Sequence, residues 1–219
     1  QMLSRLVLSR IVTVEAFGVV ALVNGVCFLL MMLAEFGVTQ SVINKKDNKY
    51  QSFYDFSVKS STFFAFLTPI LLFILSVVFE IELTLFTYLA VPIIVFLFGV
   101  TSVCLGDLNK KFLFKLVAIS ETVAEIIALL ACVMIIFLYG ATFEVLIFKV
   151  LVFSIVRAIM ISAYFKSNNE EKKLTFQLLL KYEKVEKFNR GVLVSNFASF
   201  LVRQGDNFLV GKFFGIVML

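Results

Sequence analysis

The sequence contains no histidine and no tryptophan, and its 219 residues include only three cysteines and two prolines. Without histidine, the chain lacks the side chain most often used as a general base and as a metal ligand. The cysteines lie far apart inside apolar blocks, so we interpret Cys27, Cys104 and Cys132 as small buried hydrophobic residues. No ATP-binding motif is present either. We therefore predict a protein without catalytic residues, metal site or cofactor.

What the sequence has in abundance is apolar residues, which make up 61% of the chain and give a mean hydropathy of +1.01. A soluble domain is only about half apolar. These residues fall in long blocks with few charges, which is typical of membrane-spanning helices. The net charge of +5 comes from lysines and arginines that gather between the blocks, with no nucleic-acid-binding motif. The sequence predicts an all-α polytopic membrane protein and no nucleic-acid partner.

The apolar blocks predict about six spanning helices. The five complete spans are expected at about residues 16–38, 56–79, 83–106, 116–138 and 145–165, and a sixth span begins near Gly191. Each block is close to the ~20 residues needed to cross a hydrocarbon core. Pro69 and Pro92 fall inside two of them and predict a bend in each helix.

The connections between the spans alternate in charge. Three lysines follow the first span and three follow the third, whereas the turns after the second and fourth spans have none. Basic connections remain on the cytoplasmic side, so one topology satisfies all five spans. Residues 166–190 carry six lysines and one arginine, with apolar residues at helical spacing. We predict that this segment is an amphipathic helix on the cytoplasmic surface, where it either lies on lipid or packs on protein.

Two similar segments near the ends of the chain indicate an internal repeat. LVLSRIV starts at Leu6 and FLVGKFF starts at Phe208; each has three apolar residues, a small residue, a basic residue and two further apolar residues. Transporters are often built from such repeats. The chain also opens in sequence of helical character, so we expect a piece of a longer protein. The predicted domains are a first transmembrane lobe (1–165, its first helix truncated), a connector (166–190) and the start of a second lobe (191–219).

Three stretches resemble one family of transporters. They are LSRIVTVEAFGVVALV with EFGVTQSVINKK, then LGDLNKKFLFKLVAISETVAEIIALLACVMIIFLYG, and finally RQGDNFLVGKFFG. In order and spacing they resemble the lipid-linked oligosaccharide flippases of the MATE-like exporter superfamily, the branch that moves O-antigen or capsule units. The resemblance covers nearly the whole chain. It implies a protein of two lobes that rock around a central site.

The resemblance also implies a function, a location and partners. An undecaprenyl-diphosphate-linked oligosaccharide would be moved across the bacterial cytoplasmic membrane by alternating access, for surface polysaccharide biosynthesis. Membrane lipids, a polysaccharide polymerase and chain-length machinery are the implied partners. Two alternatives remain open: a drug or cation antiporter of the same superfamily, and a membrane enzyme acting on the same lipid-linked glycan. The outer turns are short for an enzyme of that kind, so we expect a transporter.

A substrate with two phosphates requires cationic side chains in the membrane, and the candidates are Arg157, Arg203 and Lys149. Lys149 and Arg157 are eight residues apart on one predicted helix, about 80° apart around its axis, and can face one cavity. Lys149 could instead extend to the outer interface. Arg203 begins the predicted second lobe and could face Arg157 across the lobe interface.

Carboxylates inside the spans are the second group of candidates. Glu121 and Glu125 are one helical turn apart, and Glu125 lies near the middle of its span. It could form a salt bridge with Arg157, or it could couple transport to a cation or proton by competing for that arginine. Asp206 lies one turn from Arg203, which favours a local ion pair.

Overall fold

The structure, a computed structural model, describes residues 13–44, 50–140, 142–168, 191–202 and 205. Within these ranges the chain is all-α and contains no strand. The helices are α1 (Val14–Glu35), α2 (Val38–Asn44), α3 (Tyr50–Phe79), α4 (Leu85–Lys110), α5 (Phe114–Tyr139), α6 (Phe143–Asn168) and α7 (Gly191–Val202).

Five helical segments among the described residues are long and apolar enough to cross a membrane, which confirms the predicted polytopic architecture. They are Glu15–Asn44, Gln51–Phe79, Leu85–Lys110, Phe114–Leu138 and Phe143–Lys166. α3 begins earlier than predicted, because its first turn is polar. α7 starts at Gly191, where the sixth span was expected, and is described only as far as Val202.

The first predicted span, residues 16–38, lies within the apolar segment Glu15–Asn44, but its helix is interrupted near the end. α1 stops at Glu35, and Phe36 and Gly37 follow with φ angles of 48° and 70°. Two successive left-handed residues turn the chain, and the short helix α2 begins at Val38. Glycine adopts this conformation readily, so Gly37 was the one signal of the break in the sequence.

α4 is the central helix of the bundle, and it packs against α1, α2, α3 and α6. The main core lies where α1, α3, α4 and α6 meet, and its fully buried members include Leu22, Leu30, Leu72, Ile94 and Ile147. α5 lies at the side of the bundle and packs chiefly on α6. Its buried positions recur every fourth residue and are small, which allows close helix packing (Ser120, Ala124, Ala128 and Cys132).

α3 and α4 approach each other through small residues. A Cβ on Gly99 would lie 1.9 Å from the Ser61 hydroxyl, so only glycine fits there. Nearby, the Ser57 hydroxyl donates to the carbonyl of Gly99 and lies 2.9 Å from the Ser102 hydroxyl. Small side chains and interhelical hydrogen bonds are the usual means of helix association in lipid. We call this contact the α3–α4 seam.

The two prolines do not break their helices, since α3 runs through Pro69 and α4 through Pro92. All three cysteines are buried and unbonded, as predicted. Most of the predicted connector (169–190) lies outside the described residues, and α6 extends to Asn168. The predicted division into two lobes therefore stays a prediction.

Candidate functional site

Arg157 is the buried charge around which the candidate site is built. It lies about halfway along α6 and is only 9% exposed. Long aliphatic residues surround it in sequence, in IFKVLVFSIVRAIMISAYF. An arginine at this depth in a membrane protein is costly unless other groups compensate its charge, and such residues usually face the interior or a water-filled cavity.

Three groups from three other helices compensate the charge of Arg157. Its Nε lies 3.4 Å from Oε1 of Glu121 on α5. Its guanidinium carbon lies 5.4 Å from the ring centre of Phe98 on α4, which is a cation–π contact. Glu35, the last residue of α1, interacts with it electrostatically. We call Glu35, Phe98, Glu121 and Arg157 the arginine cluster.

The ion pair between Arg157 and Glu121 is loose. Its distance of 3.4 Å exceeds the ~2.7–2.9 Å of a strong charge-assisted hydrogen bond. The Glu121 side chain is also 50% exposed. A half-exposed carboxylate in a spanning helix needs water, another charge or a ligand next to it. Arg157 is therefore paired in a way that another anion could replace.

Glu35 is held from the other side by the corner between α1 and α2. It accepts a hydrogen bond from the backbone N–H of Thr39, the second residue of α2. The Thr39 hydroxyl in turn donates to the carbonyl of Ser102 on α4, at 3.1 Å. The break at the end of α1 thus places a carboxylate toward Arg157 and fixes it to the central helix.

A second ion pair joins α5 to α6. Nζ of Lys149 lies 2.6 Å from Oε1 of Glu125, and the two side chains are 14% and 17% exposed. We call it the lysine pair. It differs from the sequence prediction in both partners, because Glu125 pairs with Lys149 rather than with Arg157. Lys149 lies against a carboxylate near the middle of α5 and does not extend to the outer interface.

The pairing follows from the geometry of two antiparallel helices. α5 and α6 follow each other after a short connection and pack together, so they run in opposite directions. Glu121 and Glu125 are one turn apart on α5, and Arg157 and Lys149 are about two turns apart on α6. Glu125 and Lys149 are the members nearer the connection, and they pair with each other. Glu121 and Arg157 are farther from it and form the other pair.

The structure thus brings four of the predicted site residues together along the α5–α6 contact. The remaining two, Arg203 and Asp206, lie outside the described residues, and their predicted roles stay predictions. Sequence reasoning missed Phe98, one of 27 phenylalanines with nothing to distinguish it. Glu35 was not among the predicted site residues either, because its part in the cluster depends on the corner between α1 and α2. No group of three or more potential metal ligands was found among the described residues.

Ionisable side chains inside spanning helices, such as Arg157, Glu121 and Glu125, usually serve a function. A comparison with known families indicates the class of protein. The family model for polysaccharide biosynthesis proteins matches residues 7–219, and the chain belongs to that family. No curated protein and no solved structure matches significantly. The family indicates a role in polysaccharide biosynthesis or transport.

Proposed function

We propose that this chain forms part of a flippase that moves a diphosphate-linked oligosaccharide lipid across the bacterial cytoplasmic membrane by alternating access. The observation that carries the proposal is the arginine cluster: a buried Arg157 near the middle of a span, with a loose and half-exposed carboxylate partner. A guanidinium in this setting suits a phosphate ligand, because its planar donors match phosphate oxygens.

The proposed binding step is an exchange of anions. The diphosphate takes the place of Glu121 beside Arg157, while Phe98 and Glu35 keep the guanidinium in position. Moving the anion into a site with low polarity is favourable only because the arginine already resides there and needs no new desolvation. The lipid tail remains in the bilayer while the sugars cross.

The proposal includes the predicted domains. Residues 1–165 form the first lobe, 166–190 the connector and 191–219 the start of a second lobe that carries Arg203 toward the substrate. Asp206, one turn from that arginine in the sequence, is its proposed partner. The lipid-linked oligosaccharide is the substrate partner, and the polymerase and chain-length machinery receive the product. The transport step itself makes and breaks no covalent bond, so we propose a transporter and not an enzyme.

The test is genetic complementation in a bacterium that lacks its own flippase, using the complete gene that contains this chain. We expect the native protein to restore surface polysaccharide. Arg157→Ala should abolish restoration and cause lipid-linked intermediates to accumulate on the inner face, whereas Arg157→Lys should retain part of the activity. Lys166→Ala, which removes an equal charge at the exposed end of α6, serves as the matched control and should export normally.

Normal export by Arg157→Ala at equal protein levels would contradict the assignment of Arg157 as the diphosphate site. Failure of the native protein to restore polysaccharide, in strains supplying several different lipid-linked glycans, would contradict the flippase itself.

The charge of the arginine cluster also favours a second candidate, a cation or drug antiporter. Two carboxylates, Glu35 and Glu121, face one guanidinium, so the cluster is negative overall when all three are ionised. An antiporter would confer resistance to cationic drugs on a sensitive strain, and Glu121→Gln would remove that resistance. Resistance without polysaccharide export would favour this second function.

A further inference from the structure

The turn between α4 and α5 ends α4 in a Schellman motif. The N–H of Leu113 donates to the carbonyl of Leu108 at 3.0 Å, and the N–H of Phe112 donates to that of Asn109 at 3.0 Å. Leu113 packs on the buried cluster that contains Leu108, as the hydrophobic contact of this motif requires. The position between them, Phe112, is left-handed with φ 57°.

Glycine is the usual residue at this position, because a left-handed backbone is strained for other side chains. Phe112 accepts that strain and is nevertheless 79% exposed. Phe36, the other left-handed phenylalanine, is different, since it is half-buried and its ring packs edge-on against the half-buried Phe56. Packing within the protein therefore stabilises the ring of Phe36, whereas the exposed ring of Phe112 gains little packing energy from the protein.

The surroundings of Phe112 combine aromatic and basic side chains. Phe114 is also exposed, and its ring meets that of Phe112 edge-on at 5.9 Å. Three lysines flank the two rings (Lys110, Lys111 and Lys115). Lys111 lies 3.2 Å from the fully buried Asp107, which anchors it to the end of α4. We call Lys110–Lys115 the basic aromatic turn.

The turn at the opposite end of α4 has the reverse character. It also contains a left-handed residue, Glu80 with φ 54°, but its charged residues are acidic (Glu80 and Glu82). The basic character is therefore found at one end of α4, the end that the lysines predict to be cytoplasmic.

We propose that the basic aromatic turn is a binding site for anionic phospholipid headgroups of the cytoplasmic leaflet. The 26 residues of α4 extend over roughly 39 Å, which exceeds a ~30 Å hydrocarbon core and places its ends among the headgroups. The two rings lie at the boundary of the acyl chains, and the lysines contact the phosphates. Burial of Phe112 in lipid offsets its backbone strain.

Charge decides between lipid and the nearest protein candidate. The segment 166–190 could cover this end of the bundle, but its six lysines and one arginine outnumber its four glutamates, which leaves it a net charge of +3. Placing it against three further lysines brings like charges together, whereas an anionic headgroup neutralises them. The proposal does not depend on the transported substrate.

The absence of tryptophan from the sequence makes a direct test possible. In the full-length protein, any tryptophan outside this sequence is first replaced by phenylalanine. Phe112→Trp then places a single tryptophan fluorophore at the site. The protein is placed in vesicles of phosphatidylcholine alone or of equal parts phosphatidylcholine and phosphatidylglycerol. We expect emission at shorter wavelength, and stronger quenching by brominated acyl chains, in the vesicles that contain phosphatidylglycerol.

Two comparisons show that the response comes from charge. Adding salt to about 1 M, which shortens the Debye length to ~3 Å, should remove the difference between the two vesicles. Lys110→Gln with Lys115→Gln should do the same. Phe137→Trp is the matched control, since Phe137 is exposed near the opposite end of α5 without lysines beside it. It should be quenched equally in both vesicles.

Two results would overturn the proposal. Equal emission of the Phe112→Trp protein in both vesicles would show that the headgroup charge has no role. Emission at short wavelength without quenching by brominated lipid would show that protein covers the ring.

Phe112→Gly provides a second, independent test. In neutral detergent it should raise the unfolding temperature, because it removes the left-handed strain at little loss of packing. Phosphatidylglycerol should then stabilise the native protein more than the Phe112→Gly protein. A lower unfolding temperature for Phe112→Gly in detergent would show that the ring packs on the protein, and would contradict the proposal.

Discussion

The lysine pair and the arginine cluster lie on the same two helices, yet they are built differently. Lys149 and Glu125 are 2.6 Å apart and both shielded, whereas Arg157 and Glu121 are 3.4 Å apart and the carboxylate is half exposed. The first pair is short and shielded and joins α5 to α6. The second shares its guanidinium with an aromatic ring and a further carboxylate. Distance and exposure, rather than charge alone, therefore separate a structural ion pair from an exchangeable one.

The largest expected effect is on stability and comes from the lysine pair. Lys149→Met removes the cation that lies 2.6 Å from Glu125 in a shielded position, and breaking a buried ion pair typically costs about 3–5 kcal/mol. We expect a correspondingly lower unfolding temperature in detergent. The double variant Lys149→Met with Glu125→Gln removes both charges and should recover most of the loss. Equal instability of the single and double variants would show that Lys149 acts through packing and not through its charge.

The second largest effect should be a loss of transport with little loss of stability. Arg157→Met is expected to lower the free energy of unfolding by only about 1 kcal/mol, because half-exposed Glu121 can be solvated when its partner is lost. Export in the complementation strain should nevertheless fall by on the order of tenfold or more, as expected for a lost hydrogen bond to a charged ligand. Stability and export are measured on the same preparations. If Arg157→Met unfolds the protein as readily as Lys149→Met, the two pairs do not differ in kind.

A smaller effect is expected at Phe98. Phe98→Leu removes a cation–π contact worth about 0.5–2 kcal/mol, so export should fall several-fold without loss of protein. Phe86→Leu is the matched control, since Phe86 lies on the same helix and contacts a ring, Phe148, at 6.4 Å rather than a charge. The same decrease in both variants would assign the effect to packing.

The smallest expected effect is an increase in the affinity for phosphate. Glu121→Gln removes the anion that competes with phosphate for Arg157, and an exposed ion pair of this kind is worth about 0.2–1 kcal/mol. Pyrophosphate affinity should therefore rise by a factor of about 1.4 to 5. Phe98→Trp supplies the fluorescence signal beside Arg157, and Glu82→Gln in the outer turn is the charge-matched control. Unchanged affinity would show that Glu121 and phosphate do not compete.

Much of the fold could be predicted because charge is scarce in this sequence. The five spans followed from the long apolar blocks, and Arg157, Lys149, Glu121 and Glu125 were identifiable as charges within them. Their pairing could not be predicted, since it depends on how α5 and α6 are rotated about their axes, and small buried residues such as Ala124 set that rotation. The α3–α4 seam could not be predicted either. Glycine is required at position 99 only because Ser61 of the neighbouring helix lies against it.

The break after α1 shows the other limit. No charged residue lies between Glu35 and Lys45, so hydropathy alone extends the span through Phe36 and Gly37. A local backbone conformation ends the helix. The hydrogen bond from Thr39 to Ser102 on α4, which is distant in sequence, then holds the corner in place. Glu35 entered the candidate site through that contact and not through any pattern in its own segment.

The α3–α4 seam also has a mechanical consequence. The axes of α3 and α4 cannot come closer, because Gly99 has no side chain left to remove, and separating them would expose the hydroxyls of Ser57 and Ser61 to hydrocarbon. The two helices therefore move together as one rigid unit. When the bundle moves, this unit rotates as a whole. Phe98, one residue from Gly99, then moves with the unit and shifts relative to Arg157.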